Sequence, residues 1–242
     1  MELNGQAALV TGGAHRLGKA IALALAQAGA KVAIHYYRSA AQAEATLAEL
    51  RATGVEATAI QGDLAVVAEV ERVVDAAITH WGRLDLLVNS AGIWGTTPIG
   101  SVDEARWAEL LDTNLRSAFF ASQRAAPALR AARGAIVNIA DVGALRPWRN
   151  HTPYLVSKGG LLTMTEALAK DLAPEVRVNA IAPGPVLLPD GWTTAQAEKA
   201  VRSVLLRRLG SAEDVAQAVV YLAGATYVTG VTLPVDGGQR LI

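Results

Sequence analysis

A chain of 242 residues with 52% hydrophobic content has room for one α/β domain with a large core. Lys+Arg and Asp+Glu both number 22, so the balance argues against a nucleic-acid or anionic-membrane partner. There are no cysteines, which excludes disulfides, thiolate catalysis and thiolate metal sites, and no metal is expected. No apolar run reaches the ~18 residues of a membrane helix. The N-terminal MELNGQAALVTGG lacks the basic and apolar regions of a signal peptide, so a cytoplasmic location is expected.

The predicted elements alternate between short apolar runs and segments of helical spacing. A strand over Gln6–Val10 precedes a helix over Leu17–Ala28, striped by Leu17, Ile21, Leu25 and Ala28. A strand over Lys31–Tyr36 precedes a helix over Ala40–Thr53. The third strand, Glu56–Gln61, leads to a helix over Val66–Trp81 with a stripe of Val70, Val73, Val74 and Ala77. The fourth, Leu84–Asn89, leads to one long helix over Val102–Ala131. Strand Ala135–Ala140, helix Pro153–Ala173 and strand Arg177–Ile181 follow. A loop rich in Pro and Gly (Pro183–Trp192), a short helix over Thr194–Leu206, a helix over Ala212–Ala223 and a strand over Thr232–Val235 complete the chain. Apolar runs without strict alternation are the pattern of strands buried on both faces. Their regular exchange with helices predicts right-handed βαβ units in a Rossmann-type, doubly wound, seven-stranded parallel sheet with helices on both faces. A single dinucleotide-binding domain over 1–242 is expected, with a substrate loop around 184–206.

The first strand ends in TGGAHRLG, Thr11 to Gly18, at the start of a helix. Glycines at such a turn let the backbone approach a pyrophosphate, and the helix N-terminus supplies amides and partial positive charge. The pattern is T-G-x-x-x-R-x-G, with Arg16 where glycine is common. An ordinary tight turn is the plainer alternative, but the strand–helix–strand context favours cofactor binding through Gly12, His15, Arg16, Leu17 and Gly18. NAD sites place an acid near the end of the second strand for the ribose 2′-hydroxyl. Here that strand runs on as HYYRS, with Tyr36 near the acid's place and Tyr37, Arg38 and Ser39 after it. Two arginines and a hydroxyl suit a 2′-phosphate, because guanidinium forks bind phosphate bidentately. NADP(H) is therefore expected. Asp63, followed by Leu64, is placed either to accept from the adenine amino group or to cap the next helix. Asn89 and Ala91 lie in NSAG at the carboxyl edge, where ligands sit in open α/β sheets.

The fifth strand delivers Asp141 to the same edge. Tyr154 and Lys158 lie one turn apart on one helix face, and a neighbouring ammonium is expected to lower the tyrosine pKa. Asn114 stands in DTNLRSAF. With these motifs the sequence resembles the short-chain dehydrogenase/reductase family over its whole length, from TGGAHRLG through NSAG, Asn114, Tyr154, Lys158 and NAIAPG (Asn179–Gly184) to VDGG. The resemblance implies Tyr154 as general acid, Lys158 as the group that binds the nicotinamide ribose, and Asn114 as the holder of a relay water. It also implies cofactor contacts at Pro183, Gly184 and Val186, and a homotetramer built on the two long helices and a C-terminal interface.

The family has a serine thirteen residues before the tyrosine, a donor to the substrate carbonyl. Asp141 stands there instead. An ionised carboxylate repels a developing oxyanion, whereas an amino-substituted heterocycle offers it N–H donors. The sequence accordingly resembles the pteridine and dihydropterin reductase subgroup, in T-G-x-x-x-R-x-G, in His35-Tyr36-Tyr37-Arg38-Ser39, in Asp141 and in Trp94 after the N-x-A turn. That resemblance implies NADPH-dependent reduction of a pterin ring C=N bond, with a dihydrofolate as a further candidate, and substrate held by Trp94, Asp141, Tyr154 and Arg16. Trp148 and Trp192 either line or cover that pocket. A carbonyl reductase of 3-oxoacyl thioesters, sugars or ketones is the competing enzyme reading, and a non-catalytic NADP(H) sensor the competing reading of another class.

Overall fold

The computed structural model describes residues 3–188 and 191–242. Residues 189–190 of the expected substrate loop lie outside the described residues. Seven parallel strands form one sheet in the order β3-β2-β1-β4-β5-β6-β7. They are β1 (Ala7–Val10), β2 (Lys31–Tyr36), β3 (Ala57–Gln61), β4 (Leu86–Asn89), β5 (Ala135–Ile139), β6 (Arg177–Pro183) and β7 (Thr232–Val235). Among the described residues, the α-helices are α1 (Arg16–Gln27), α2 (Ala40–Ala52), α3 (Val67–Trp81), α4 (Glu104–Leu111), α5 (Ser117–Ala132), α6 (Thr152–Leu172), α7 (Thr194–Arg202) and α8 (Ala212–Gly224). The fold is the expected α/β Rossmann sheet.

Burial on both sheet faces explains the continuous apolar runs. Ala8 and Val10 of β1 pack with α1 and α8 on one face, while Leu9 between them packs with α3 and α5 on the other. In β5, Val137 and Ile136 divide in the same way. Strand order reverses on either side of β1, so the carboxyl ends of β1 and β4 open onto the crevice where such folds bind ligands.

Several boundaries differ from the sequence reading, among them the short helix expected over Thr194–Leu206, which ends at Arg202; three of the differences have a local reason. Strand β4 starts at Leu86 because the Asp85 carboxylate takes the Ala7 amide at 2.8 Å. Strand β6 extends to Pro183, held by its register with β7, where Pro183 faces Val235. The single long helix over 102–131 is three pieces. Asp103 caps α4 by accepting from the Arg106 amide at 2.7 Å. A π-helical turn over Asp112–Arg116 then separates α4 from α5. One extra residue in that turn rotates Asn114 off the helical stripe and towards the strand ends. Among the described residues, no helix is long and apolar enough to cross a membrane.

Candidate active site

The carboxyl edge gathers four side chains from three parts of the chain: Asp141 after β5, Asn114 in the π-helical turn, and Tyr154 and Lys158 on α6. Strand β5 ends two residues before Asp141, whose Oδ1 accepts from the Gly143 amide at 2.7 Å and fixes a short 3-10 turn, Val142–Ala144. Pro153 lies in the first turn of α6, where its missing N–H costs nothing. This start sets Tyr154 and Lys158 facing β5. The Tyr154 hydroxyl donates to Asp141 Oδ2 at 2.7 Å. Lys158 Nζ donates to the Ile139 carbonyl at 2.8 Å and lies 5.9 Å from the Tyr154 ring centroid. Asn114 reads the backbone on both sides of Ile93: Oδ1 accepts from its amide at 2.7 Å and Nδ2 donates to its carbonyl at 3.0 Å. Nδ2 also donates to Ser157 Oγ at 3.1 Å, and Ser157 donates to the Tyr154 carbonyl at 2.6 Å.

These groups are taken out of water: Tyr154 keeps 6% of its surface and Lys158 5%. Burial pushes the Asp141 carboxyl above the usual carboxylate range, against the pull of the Tyr154 hydroxyl, the Gly143 amide and the Lys158 charge. Burial also pushes Tyr154 well above its ordinary phenol value, and the Asp141 charge adds to the rise. Lys158 is pushed down to about 8 by burial, with Asp141 countering. The expectation that Lys158 lowers the tyrosine pKa is therefore corrected. In this arrangement desolvation and the adjacent carboxyl outweigh an ammonium that is bonded to a carbonyl.

The phosphate loop is built for close backbone approach. Gly12 has φ +66, and a Cβ there would stand 2.9 Å from Ala91 Cα. A Cβ on Gly18 would stand 2.1 Å from the Gly12 carbonyl oxygen. Arg16 itself adopts φ +51, the left-handed backbone that explains why glycine is common there. Its guanidinium donates to the Leu188 carbonyl at 3.0 Å, so it bridges to the substrate loop. Leu17 packs on the first core cluster, and His15 is the exposed N-cap residue of α1. After β2, Arg38 lies over the Tyr37 ring at 4.6 Å and donates to its hydroxyl at 3.0 Å. Ser39 is the N-cap residue of α2. Beside Asn114 and Lys158, a Cβ on Gly92 would fall 3.3 Å from Asn114 Oδ1 and 3.4 Å from Lys158 Nζ. A bare backbone thus runs from the helix α1 terminus to the Lys158 ammonium, and this cradle fits an extended dinucleotide.

Other expected positions have more particular surroundings. Asp63 does not cap α3, whose N-cap is Val66; its Oδ1 closes a turn onto the Ala65 amide at 3.0 Å. Leu64 is buried in the core behind it. The Asn89 amide points inward, donating to Asn138 Oδ1 at 2.9 Å and to Ser122 at 3.2 Å. Ala91 and Ser90 donate their amides to Thr11 Oγ1, both at 3.0 Å, which ties the NSAG turn to the phosphate loop. Gly184 admits no side chain, since a Cβ would meet Asp236 Cα at 2.7 Å. Val186 donates its amide back to Gly184. Trp94 is half-exposed and stacks on His151, with ring centroids 5.0 Å apart. Trp148 meets His151 edge-on and packs on Gly143. The sequence reading missed Thr11, Ser157 and His151. Thr11 lies in TGGAHRLG, Ser157 between Tyr154 and Lys158, and His151 just before their helix, and only the side-chain contacts separate them from their neighbours.

A family model described as enoyl-(acyl carrier protein) reductase matches residues 12–240. The 3-oxoacyl-[acyl-carrier-protein] reductase FabG of Staphylococcus aureus is 36% identical over 242 residues, covering 98% of each chain. The chain belongs to the short-chain dehydrogenase/reductase family. Two solved structures superpose throughout. A short-chain dehydrogenase from Burkholderia cenocepacia in complex with NADP has a TM-score of 0.94 at 36% identity, over 99% of this chain and 100% of that one. A blue fluorescent protein from a metagenomic library, in complex with NADPH, has a TM-score of 0.93 at 37% identity, over 99% of both. The chain is thus a short-chain dehydrogenase/reductase oxidoreductase. The narrower expectation of the pteridine reductase subgroup gains no support from these relatives, and the FabG name points to ketoacyl reduction instead.

Proposed function

We propose that this short-chain dehydrogenase/reductase is a carbonyl reductase acting on a 3-oxoacyl thioester or a related small ketone. Its cofactor is NADP(H), and when bound it supplies the hydride for the carbonyl carbon. Tyr154 holds its proton at neutral pH because its pKa is raised, and gives that proton to the carbonyl oxygen. The product is a hydroxyl. Lys158 is cationic below about 8 and supplies positive charge beside the phenol as it loses its proton. Asn114, fixed by Ile93 and Ser157, holds the water through which Tyr154 is reprotonated. Arg38 and Ser39 take the 2′-phosphate, the loop from Gly12 to Gly18 the pyrophosphate, and Asp63 and Leu64 flank the adenine. Residues 1–242 act as one domain, and a homotetramer is the expected assembly.

One observation carries the choice of substrate class. The Asp141 carboxyl is partly buried, 2.7 Å from the Tyr154 hydroxyl, with its pKa raised by desolvation. This reading takes the carboxyl as protonated when the carbonyl is bound: a neutral acid there donates to the developing oxyanion, as a serine does in the wider family, where an ionised one repels it. The full-length FabG relative supports the same class. A second reading, NADPH-dependent pterin reduction, rests on the same residue in its ionised form, which accepts from ring N–H groups beside Trp94. Against it, one face of Trp94 is taken by His151.

The pH profile of Asp141→Ser separates the two. In the carbonyl reading, wild-type thioester turnover falls as pH rises through the raised Asp141 pKa, and Asp141→Ser keeps turnover while losing that limb. Loss of thioester turnover in Asp141→Ser, with pterin turnover in the wild type that the variant lacks, contradicts it.

A further inference from the structure

His35 is buried, with 3% of its surface exposed, and the reaction above does not use it. It lies in β2, one residue before the strand's last, with its ring turned towards the carboxyl edge. Nδ1 stands 3.1 Å from the Gly12 amide and Nε2 stands 3.0 Å from the Gly62 carbonyl. A carbonyl only accepts and an amide only donates, so one tautomer satisfies both contacts: neutral imidazole with its proton on Nε2. The His35 carbonyl also accepts from the Gly13 amide at 2.9 Å. Two consecutive amides at the mouth of the phosphate loop therefore end on one residue, and the next turn of chain opens α1. Gly62 directly precedes Asp63, and Tyr37 and Arg38 follow His35 by two and three residues.

We propose that His35 is the positioning residue of the NADP(H) site, a clamp that holds the phosphate loop, the 2′-phosphate segment and the adenine turn in one fixed relation. The ring does not touch the cofactor. It acts through Gly12, where the loop turns at a left-handed φ of +66. By holding the Gly12 amide inward it keeps the loop open to a pyrophosphate before any ligand arrives, and preorganisation of this kind raises affinity by lowering the ordering cost of binding. Protonation would set a second N–H against the Gly12 amide. Burial opposes that and holds the His35 pKa below its ordinary value, with the Arg72 charge acting in the same sense and the Gly62 carbonyl and Asp63 in the opposite one.

The test uses the NADPH dissociation constant of the full-length chain, read from ligand fluorescence, and four proteins. Asn places an acceptor where Nδ1 stands, and Gln places a donor where Nε2 stands. His35→Asn is expected to bind NADPH within about threefold of wild type, and His35→Gln and His35→Phe to bind at least about tenfold more weakly, the effect of one lost hydrogen bond. Nitrogen NMR of the wild type is expected to show Nδ1 unprotonated from pH 6 to 9. Equal NADPH constants for the Asn and Gln variants overturn the proposal even if the Phe variant does not fold, because a merely structural ring does not distinguish the two ends. A proton found on Nδ1 overturns it as well.

Discussion

At the scale of single residues, Asp141 and Lys158 show how one low-dielectric site moves two groups in opposite directions. The carboxyl rises and the ammonium falls, both because burial disfavours charge. Sequence spacing identified the residues but predicted the wrong sign for Tyr154, since spacing carries no information on desolvation. The Lys158 shift has a stability consequence with a definite sign. Its folded value, about 8, lies below its ordinary 10.5, so between these values the unfolded chain binds more protons than the folded one. Stability from this group therefore rises with pH across that window and is lost as pH falls through about 8. Wild type is expected to gain up to about 3 kcal/mol relative to Lys158→Met between pH 8 and 10.5 in urea denaturation. A constant difference across that range would show that Lys158 is not desolvated.

Among the elements, the phosphate loop and the broken helix differ in how far the sequence exposes them. TGGAHRLG announces a strand-to-helix turn through its glycines, and the packing gives each a separate reason. Gly18 is the most constrained, because a side chain there collides with the Gly12 carbonyl 2.1 Å away. Both contacting atoms are backbone, so the loop must shift to admit a methyl group. Gly18→Ala is expected to weaken NADPH binding by at least about tenfold and to destabilise the fold by about 1–3 kcal/mol. Calorimetry with and without NADPH reads both, and wild-type affinity would mean the loop is looser than its contacts. The long helix was legible only as a helix. A π-helical turn adds one residue to a periodic stripe without disturbing its composition, so apolar spacing over 102–131 cannot reveal where Asn114 is turned out. The turn coincides with a tertiary contact, the pair of hydrogen bonds between Asn114 and the Ile93 backbone.

Across the whole molecule, strand count, parallel sense and the position of the site at one sheet edge follow from local patterning. Strands buried on both faces read as unbroken apolar runs, and right-handed crossovers leave few ways to connect them. The ligand class does not follow from patterning. Asp141 in place of a serine pointed to a heterocycle only while it was taken as ionised, and its charge depends on burial supplied by the packing of β5, the 142–144 turn and α6 around it. The placement of Trp94 against His151 is likewise set by chain segments that meet through the Thr97–Asn150 backbone bond of 2.6 Å. The central claim is that this edge reduces a carbonyl, and the most direct measurement follows NADPH absorbance with wild-type chain and two substrates in parallel, a short 3-oxoacyl thioester and a 7,8-dihydropterin. Turnover of the thioester, with the 3-hydroxyacyl product recovered, is the expected result; turnover of the dihydropterin alone would contradict it.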